Sequence, residues 1–394
     1  MRVIGMLSGT SRDAVDAALA DLTWDGGDLR LRCGGLLSVP FPEPLRADLA
    51  RCLPPADPTW QDVCRIDTAL GRLFGSVAAR ADAELAGGTA ELVVSHGQTC
   101  FHWTQGAAAL GTLQLGEPAW IAEATGLPVV SGLRTRDVAR GGHGAPLAAT
   151  LDALLLPDAP GHGALNLGGI ANLTARERPG TVTAYDLGPA GALIDAAAER
   201  ASGGAERMDE DGVRAARGTV RAPLLAALLA DPYYRLPPPK STGKEHFHAG
   251  YLRARLAGDA AGPGPVPAPD DVVATVTELT ATLVAGACRD HRLTSLTVSG
   301  GGTRNPWLMS RIAALSAPTR VVESTAAGLP AQAKEAYLFA LLGYLTVHGL
   351  PGNVPAATGA RGPALLGSVT PGSRPLRLPA PLPGAPGRLR IDGA

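Results

Sequence analysis

Apolar and polar positions fall into short blocks along this chain, and the blocks predict strands alternating with helices. VIGMLS at 3–8 reads as a buried strand with a polar exit. Gly9-Thr10-Ser11-Arg12-Asp13 then forms a turn. AVDAALADL at 14–22 fits a helix or a strand, whereas LRLRCGGLLSV at 29–39 alternates and reads as a strand. Joined by tight turns, three such strands make an antiparallel meander. A helical pattern covers 58–86, with Leu70, Leu73, Phe74 and Val77 on one face. ELVVS at 91–95 is a buried strand ending at His96-Gly97-Gln98, and 127–131 is another.

A second cycle begins near 164. ALNLGGIANLT is a strand, a Gly-Gly turn and a strand; TVTAYDLGPAG repeats the form and leads into the helix ALIDAAAER. Residues 271–290 form an amphipathic helix. Leu296–Ser299 is a strand running into Gly300-Gly301-Gly302, and 334–347 is a strongly apolar helix. The tail from 350 is rich in Pro and Gly, and its last fifteen residues look loosely ordered. Both cycles open with a strand and a Gly/Thr/Ser turn, which hints at a duplication. The pattern predicts an α/β fold of two domains with a cleft between them. The first covers 1–140, with 350–394 returning to it, and the second covers 141–349.

Composition narrows the class. With 394 residues, two domains are the default. Hydrophobic residues at 45% and charged residues at 18% can build a core. A net charge of −1 excludes a broadly basic nucleic-acid binder. No apolar run approaches the roughly 20 residues of a membrane helix, and no signal peptide is visible, so the expectation is a cytoplasmic protein with no membrane partner. Five scattered cysteines form no CxxC pair, which indicates neither a zinc site nor a disulfide framework. Nearly all positive charge is Arg; the only lysines are Lys240, Lys244 and Lys334, retained either where a compact ammonium is wanted or by chance.

Glycine turns after strands suit phosphate binding, because backbone must approach the ligand closely. Three occur, at Gly9–Asp13, at Gly168-Gly169 ahead of Asn172, and at Gly300-Gly301-Gly302 ahead of Asn305. Neither GxxxxGK[ST] nor GxGxxG is present. Asp186 ends a strand, where a carboxylate serves as a general base or as the N-cap of the next helix. His96 and Gln98 could read sugar hydroxyls. The cluster Arg134, Arg136, Asp137 and Arg140 fits a carboxylate, a phosphate or plain solvent. PPKSTGKEHF at 238–247 holds two of the three lysines and reads as a mobile or ligand-facing loop. Glu335 opens the apolar helix and favours its dipole.

In this order GMLSGTSRDAVDAAL, SHGQT, GEPAWIAEATGLPVVSGLRTRDVARGGHGAPLA, LNLGGIANLT, DLGPAGALID, PPKSTGKEHF, SGGGTRNPWLM and GLPAQAKEAYLFALLGYLTVHGLPGN resemble the anhydro-N-acetylmuramic acid kinases. The resemblance implies two ribonuclease-H-like domains of the actin and hexokinase type, closing over ATP and a sugar. It implies ATP with Mg²⁺ as cofactors. The nucleotide would be held by Gly9, Thr10, Ser11, Arg12, Asp13, Ala14, Val15 and Asp16, by Gly168, Gly169 and Asn172, and by Gly300, Gly301, Gly302 and Asn305. It implies Asp186 as the base that activates a water. His96, Gln98, Arg134, Asp137 and Glu335 would hold a 1,6-anhydro sugar, and the chain would form a homodimer. A levoglucosan-directed relative and a nucleotide-binding regulator without catalysis are the alternatives. Arg12 and Ala14 stand where the family has Leu and Gly. Leu187 and Ala190-Gly191 stand in DLGPAG where it has Thr and Gly-Asn, which predicts more apolar surroundings for Asp186.

Overall fold

The computed structural model describes residues 1–9, 14–53, 56–105, 108–243, 246–260 and 267–392. The chain divides into two compact units, Met1–Leu155 with Ala333–Ala394, and Leu156–Gln332. Strands of the first unit are β1 (Arg2–Ser8), β2 (Ala14–Asp25), β3 (Asp28–Pro40), β4 (Leu92–Gln105), β5 (Ala108–Leu115) and β6 (Val129–Ser131). The second unit holds β7 (His162–Leu167), β8 (Ile170–Arg178), β9 (Thr181–Pro189), β10 (Ser295–Ser299) and β11 (Arg320–Glu323). The chain then returns to the first unit with β12 (Ser368–Thr370) and β13 (Leu389–Ile391).

The two sheets share one plan. In the first, β3-β2-β1 is an antiparallel meander, and β4 and β6 follow in parallel beside β1. In the second, β9-β8-β7 is the meander, and β10 and β11 follow in parallel beside β7. This is the ribonuclease-H-like order, present twice, and it supports a duplication. It also resolves residues 14–22 as strand: Ala17–Ala20 are buried on both faces, which a central strand demands.

The helix over Trp60–Ala81 begins with a reciprocal capping box between Thr59 and Asp62 and buries Leu70, Phe74 and Val77 in the first unit's core. The helix over Lys334–Val347 lies against β1 and β4 of the same unit. A Cβ on Gly5 would overlap the Ala336 carbonyl, and one on Gly343 would overlap Val94. That contact corrects the expected boundaries, which fall at 155 and 332 rather than at 140 and 349. Residues 141–155 stay with the first unit because Thr150 donates to the Gly352 carbonyl at 2.7 Å and Asp152 pairs with Lys334 at 2.6 Å.

Two further expectations change. The tail is tied down where β13 pairs in parallel with β3 and Arg390 meets Asp28 at 2.8 Å. The helix over Pro269–Asp290 is 22 residues long and apolar enough, by length and composition, to cross a membrane. It is a core helix: Val272, Val273, Val276, Leu279 and Val284 pack into the second unit.

Candidate active site

Parallel pairing sets where the chemistry gathers in each unit. β1, β4 and β6 point the same way, so Gly9, the His96–Gln98 corner and Arg134 lie toward one edge of the first sheet. β7, β9 and β10 likewise point one way, so Gly168-Gly169, Asp186 and Gly300–Gly302 lie toward one edge of the second. Loops at the carboxyl ends of parallel strands are the usual ligand-binding edge of such sheets.

In the first unit, β1 steps from Met6 to Ser8 while β4 steps from Ser95 to Gln98, so β4 carries one extra residue. Gly97 makes the bulge possible: its φ is 70°, and a Cβ there would lie 2.6 Å from the Leu115 carbonyl oxygen. The bulge turns His96 onto Phe339, with ring centroids 4.3 Å apart and planes 9° from parallel. Arg134 Nε donates to His96 Nε2 at 3.1 Å, and Arg134 Nη1 donates to the Gly144 carbonyl at 3.0 Å. His96 Nε2 is therefore an acceptor, and its proton sits on Nδ1. Nδ1 is buried with no hydrogen-bond partner among the described residues. An unmatched buried donor costs about 1–3 kcal/mol, which a ligand oxygen would relieve.

Burial, with the Arg134 charge as second cause, holds the His96 pKa well below its ordinary value. The folded ring therefore refuses a proton that the unfolded chain takes up below about pH 6.5. Stability falls as pH drops through that range. The melting temperature is expected to decline between about pH 7.5 and about pH 5.5, and to decline less in His96→Gln. Equal declines in both proteins, followed by calorimetry, would refute the neutral buried imidazole.

Gln98 and Asp137, expected at the sugar, are both hydrogen-bonded within the protein. Gln98 Oε1 accepts from Ser8 Oγ at 2.7 Å, and its Nε2 donates to the Thr99 carbonyl at 3.1 Å. Asp137 is fully buried; its Oδ1 accepts from Asn353 and Thr358 at 2.7 Å each, and its Oδ2 accepts from the Gly144 amide at 2.8 Å. It ties the Gly141–Pro146 loop to the returning chain, so it shapes the surroundings of Arg134. Glu335 is exposed in the first turn of its helix, beside the buried Lys334. Val15 and Asp16 open β2 opposite Ser8 and Leu7, with Ala14 and Asp16 half-buried. Thr10, Ser11, Arg12 and Asp13 lie outside the described residues, as does Lys244.

In the second unit a matching bulge sits at Leu187. β8 steps once from Ala171 to Asn172 while β9 steps twice, and Asp186 comes to face Asn172. Gly188, at φ 151°, lets the strand bend beneath Tyr234. Asn172 Nδ2 donates to Asp186 Oδ1 at 2.8 Å, and the Thr242 amide donates to Asp186 Oδ2 at 2.9 Å. The helix after β9 is capped at Ala190 without a side chain, so Asp186 is no N-cap. The expected apolar surroundings are also corrected: two N–H donors replace the polar neighbours that DLGPAG lacks. Asn172, expected at the nucleotide, has its amide on the carboxylate. Asn305, expected there too, caps the helix over Pro306–Ser316 by accepting from Leu308 N at 2.9 Å.

The glycines differ in what they do. Gly168 and Gly169 carbonyls accept from the amides of Gly191, Ala190 and Ala192, which locks this turn to the next helix. Gly300 has φ 92°, and a Cβ on it would lie 2.6 Å from Asn166 Oδ1. Gly302 presses on Leu167, whereas Gly301 is exposed. No group of three or more His, Cys, Asp or Glu side chains that could hold a metal occurs among the described residues.

A sequence model of the family described as anhydro-N-acetylmuramic acid kinase matches residues 1–372. The chain belongs to that family. The anhydro-N-acetylmuramic acid kinase of Streptomyces coelicolor is 57% identical over 394 residues, covering 100% of both chains. That of Rhodococcus erythropolis is 50% identical over 400 residues, again covering 100% of both. The solved structure of xylulose kinase from Rhodospirillum rubrum is similar at 14% identity and a TM-score of 0.42, covering 87% of this chain and 90% of that one. The family relationship spans both units and both bulged corners. Sequence reasoning left out Tyr233 and the Thr242 amide, whereas Ser8 stood at the head of the first glycine turn. Thr242 and Lys240 stood in the quoted PPKSTGKEHF segment, but a backbone donor has no side-chain signal, and nothing marked Tyr233.

Proposed function

We propose that this chain is a cytoplasmic, ATP-dependent kinase of 1,6-anhydro-N-acetylmuramic acid, acting in cell-wall recycling. The observation that carries the reading is Asp186, a half-buried carboxylate fixed by two N–H donors on the sheet edge that bears both glycine turns, in a member of this family. Asp186 takes a proton from a water whose oxygen bonds to the anomeric carbon. The bond from that carbon to O6 breaks, and O6 takes the γ-phosphoryl group of ATP, releasing ADP. The product is N-acetylmuramic acid 6-phosphate.

Each unit supplies its own part. In the first, Arg134 and the His96 Nδ1 donor suit an acidic, oxygen-rich sugar, which favours the muramic substrate over levoglucosan. In the second, the exposed backbone at Gly301 suits the phosphates, because amide donors there offset charge on the transferring group. Mg²⁺ bound with a nucleotide takes one or two carboxylates and phosphate oxygens, and neutralises phosphate charge. Asp16, half-buried at the start of β2 on the binding edge of the first sheet, would be the carboxylate that holds it. The homodimer belongs to the same proposal and rests on the family resemblance.

Purified protein with Mg-ATP is offered 1,6-anhydro-N-acetylmuramic acid and levoglucosan separately, with ADP and product mass recorded. Turnover on the muramic sugar is expected, with the mass raised by one phosphoryl group and one water. Turnover on levoglucosan alone would move the substrate. ATP binding without turnover on either sugar would support the regulator.

A further inference from the structure

The Asp186 carboxylate is half of what the protein holds at that position; the backbone of the same residue is gripped as well. Tyr233 Oη donates to the Asp186 carbonyl at 2.7 Å, and the Asp186 amide donates to the Lys240 carbonyl at 3.1 Å. With Asn172 and the Thr242 amide on the two carboxylate oxygens, one residue is fixed by four hydrogen bonds. Three of the four come from a single segment, 233–242.

That segment is braced on itself. Lys240 Nζ donates to the carbonyls of Tyr233 and Tyr234 at 3.3 and 3.1 Å, and lies 4.8 Å from the centre of the Tyr233 ring. Burial pushes the Lys240 pKa down, and the Asp186 charge opposes that fall, so the ammonium feels the carboxylate. Upstream, the Tyr233 amide donates at 3.0 Å to Asp231, which is 2% exposed and pairs with Arg255 at 3.1 Å. Phe247, fully buried, packs edge-on against Tyr233 at 5.8 Å. A base that must meet a water in line with a sugar carbon gains from such a frame, because misplacement by about 1 Å can cost about 10²-fold in rate.

We propose that Tyr233, Lys240 and Thr242 form a clamp that positions Asp186 for proton abstraction. The proposal deepens the functional reading above and rests on it for its kinetic consequence. All three are positioning residues, since none is placed on substrate. The retained lysine in an arginine-rich chain fits a cage of two carbonyls and an aromatic face, which a planar guanidinium would not fill.

The test uses full-length Tyr233→Phe, Lys240→Met, Lys240→Arg, Thr242→Ala and Thr242→Pro, with Tyr234→Phe as a neighbouring control. Thr242→Ala keeps the amide donor and Thr242→Pro deletes it. Expected is a fall in kcat of about tenfold or more in Tyr233→Phe, Lys240→Met and Thr242→Pro, with KM for ATP and sugar within about twofold. Thr242→Ala and Tyr234→Phe stay near the parent, and Lys240→Arg falls between. The second readout needs no turnover: the ¹³Cγ resonance of Asp186, assigned by its loss in Asp186→Asn, moves or broadens in the same three variants. Parental kcat with an unmoved resonance would overturn the clamp. A parent inactive on every anhydrosugar would reject the function, and the resonance alone would then decide the clamp.

Discussion

Asp186→Asn is expected to lower kcat about 10³-fold while leaving ATP binding near that of the parent, since positioned general bases contribute about 10²–10⁴. The substitution keeps the volume and removes the charge. Its geometry also makes a second prediction. Asn172 Nδ2 and the Thr242 amide each aim a donor at a carboxylate oxygen. An amide offers an acceptor to only one of them and sets its own NH₂ against the other. Asp186→Asn therefore loses about 1–3 kcal/mol of stability as well. Asp186→Ala, which leaves room for water at both donors, separates the effects. Steady-state kinetics, nucleotide titration and thermal melting are measured on all three proteins. A variant turning over sugar within about tenfold of the parent would remove Asp186 from the role of base.

Lys334→Met is expected to cost about 3–5 kcal/mol of stability, because it strands a buried carboxylate. Lys334 and Asp152 are 5% and 1% exposed, and their charged atoms stand 2.6 Å apart. Removing both charges in Lys334→Met with Asp152→Leu is expected to recover most of the loss, since a well-packed apolar pair often matches a buried ion pair. Lys334→Arg is expected to remain destabilised, as a forked guanidinium needs room that a buried ammonium does not. Denaturant midpoints for the four proteins form the check. A single variant that unfolds within about 0.5 kcal/mol of the parent would show that water already relieves the pair.

How much of this was legible beforehand varies by element, and the reasons are physical. Short apolar runs ending in glycine marked β1, β7 and β10, because strands buried inside a sheet and paired in parallel on at least one side have no polar face to show. Residues 14–22 stayed ambiguous for the same reason: an Ala-rich run without alternation fits either element until its neighbours are known. The boundaries failed at Gly141–Pro146, where glycine and proline look like a linker. Asp137 binds that loop back into the first unit, through partners more than 200 residues away. The tail failed similarly, since three residues of β13 carry little pattern until β3 is beside them.

For the site, motif membership named residues, and the structure adds which neighbours hold them. Asp186 and His96 stand at bulged corners on the expected edges. Asn172, Asn305 and Asp137 belong to the same motifs, yet Asn172 Nδ2 is turned to a carboxylate, Asn305 Oδ1 to a helix end and Asp137 to a loop. A hydrogen bond from Asn looks the same in sequence whether its partner is a ligand or a neighbouring turn.

The interrupted first unit has a consequence for how the chain is made. Synthesis delivers every strand and helix of Leu156–Gln332 before the ribosome reaches Lys334. The second unit can therefore complete itself while the first is still open. Until the Lys334–Val347 helix emerges, the face of β1 that carries Gly5 has no cover, and Asp152 waits without its ammonium. The last of the first unit's long-range contacts close across more than 350 residues, where Arg390 meets Asp28. Contacts of such separation form slowly, because loop entropy is spent before they reward it. The unit that begins translation first is thus the last whose contacts can all close, and its apolar sheet face stays exposed in the interval.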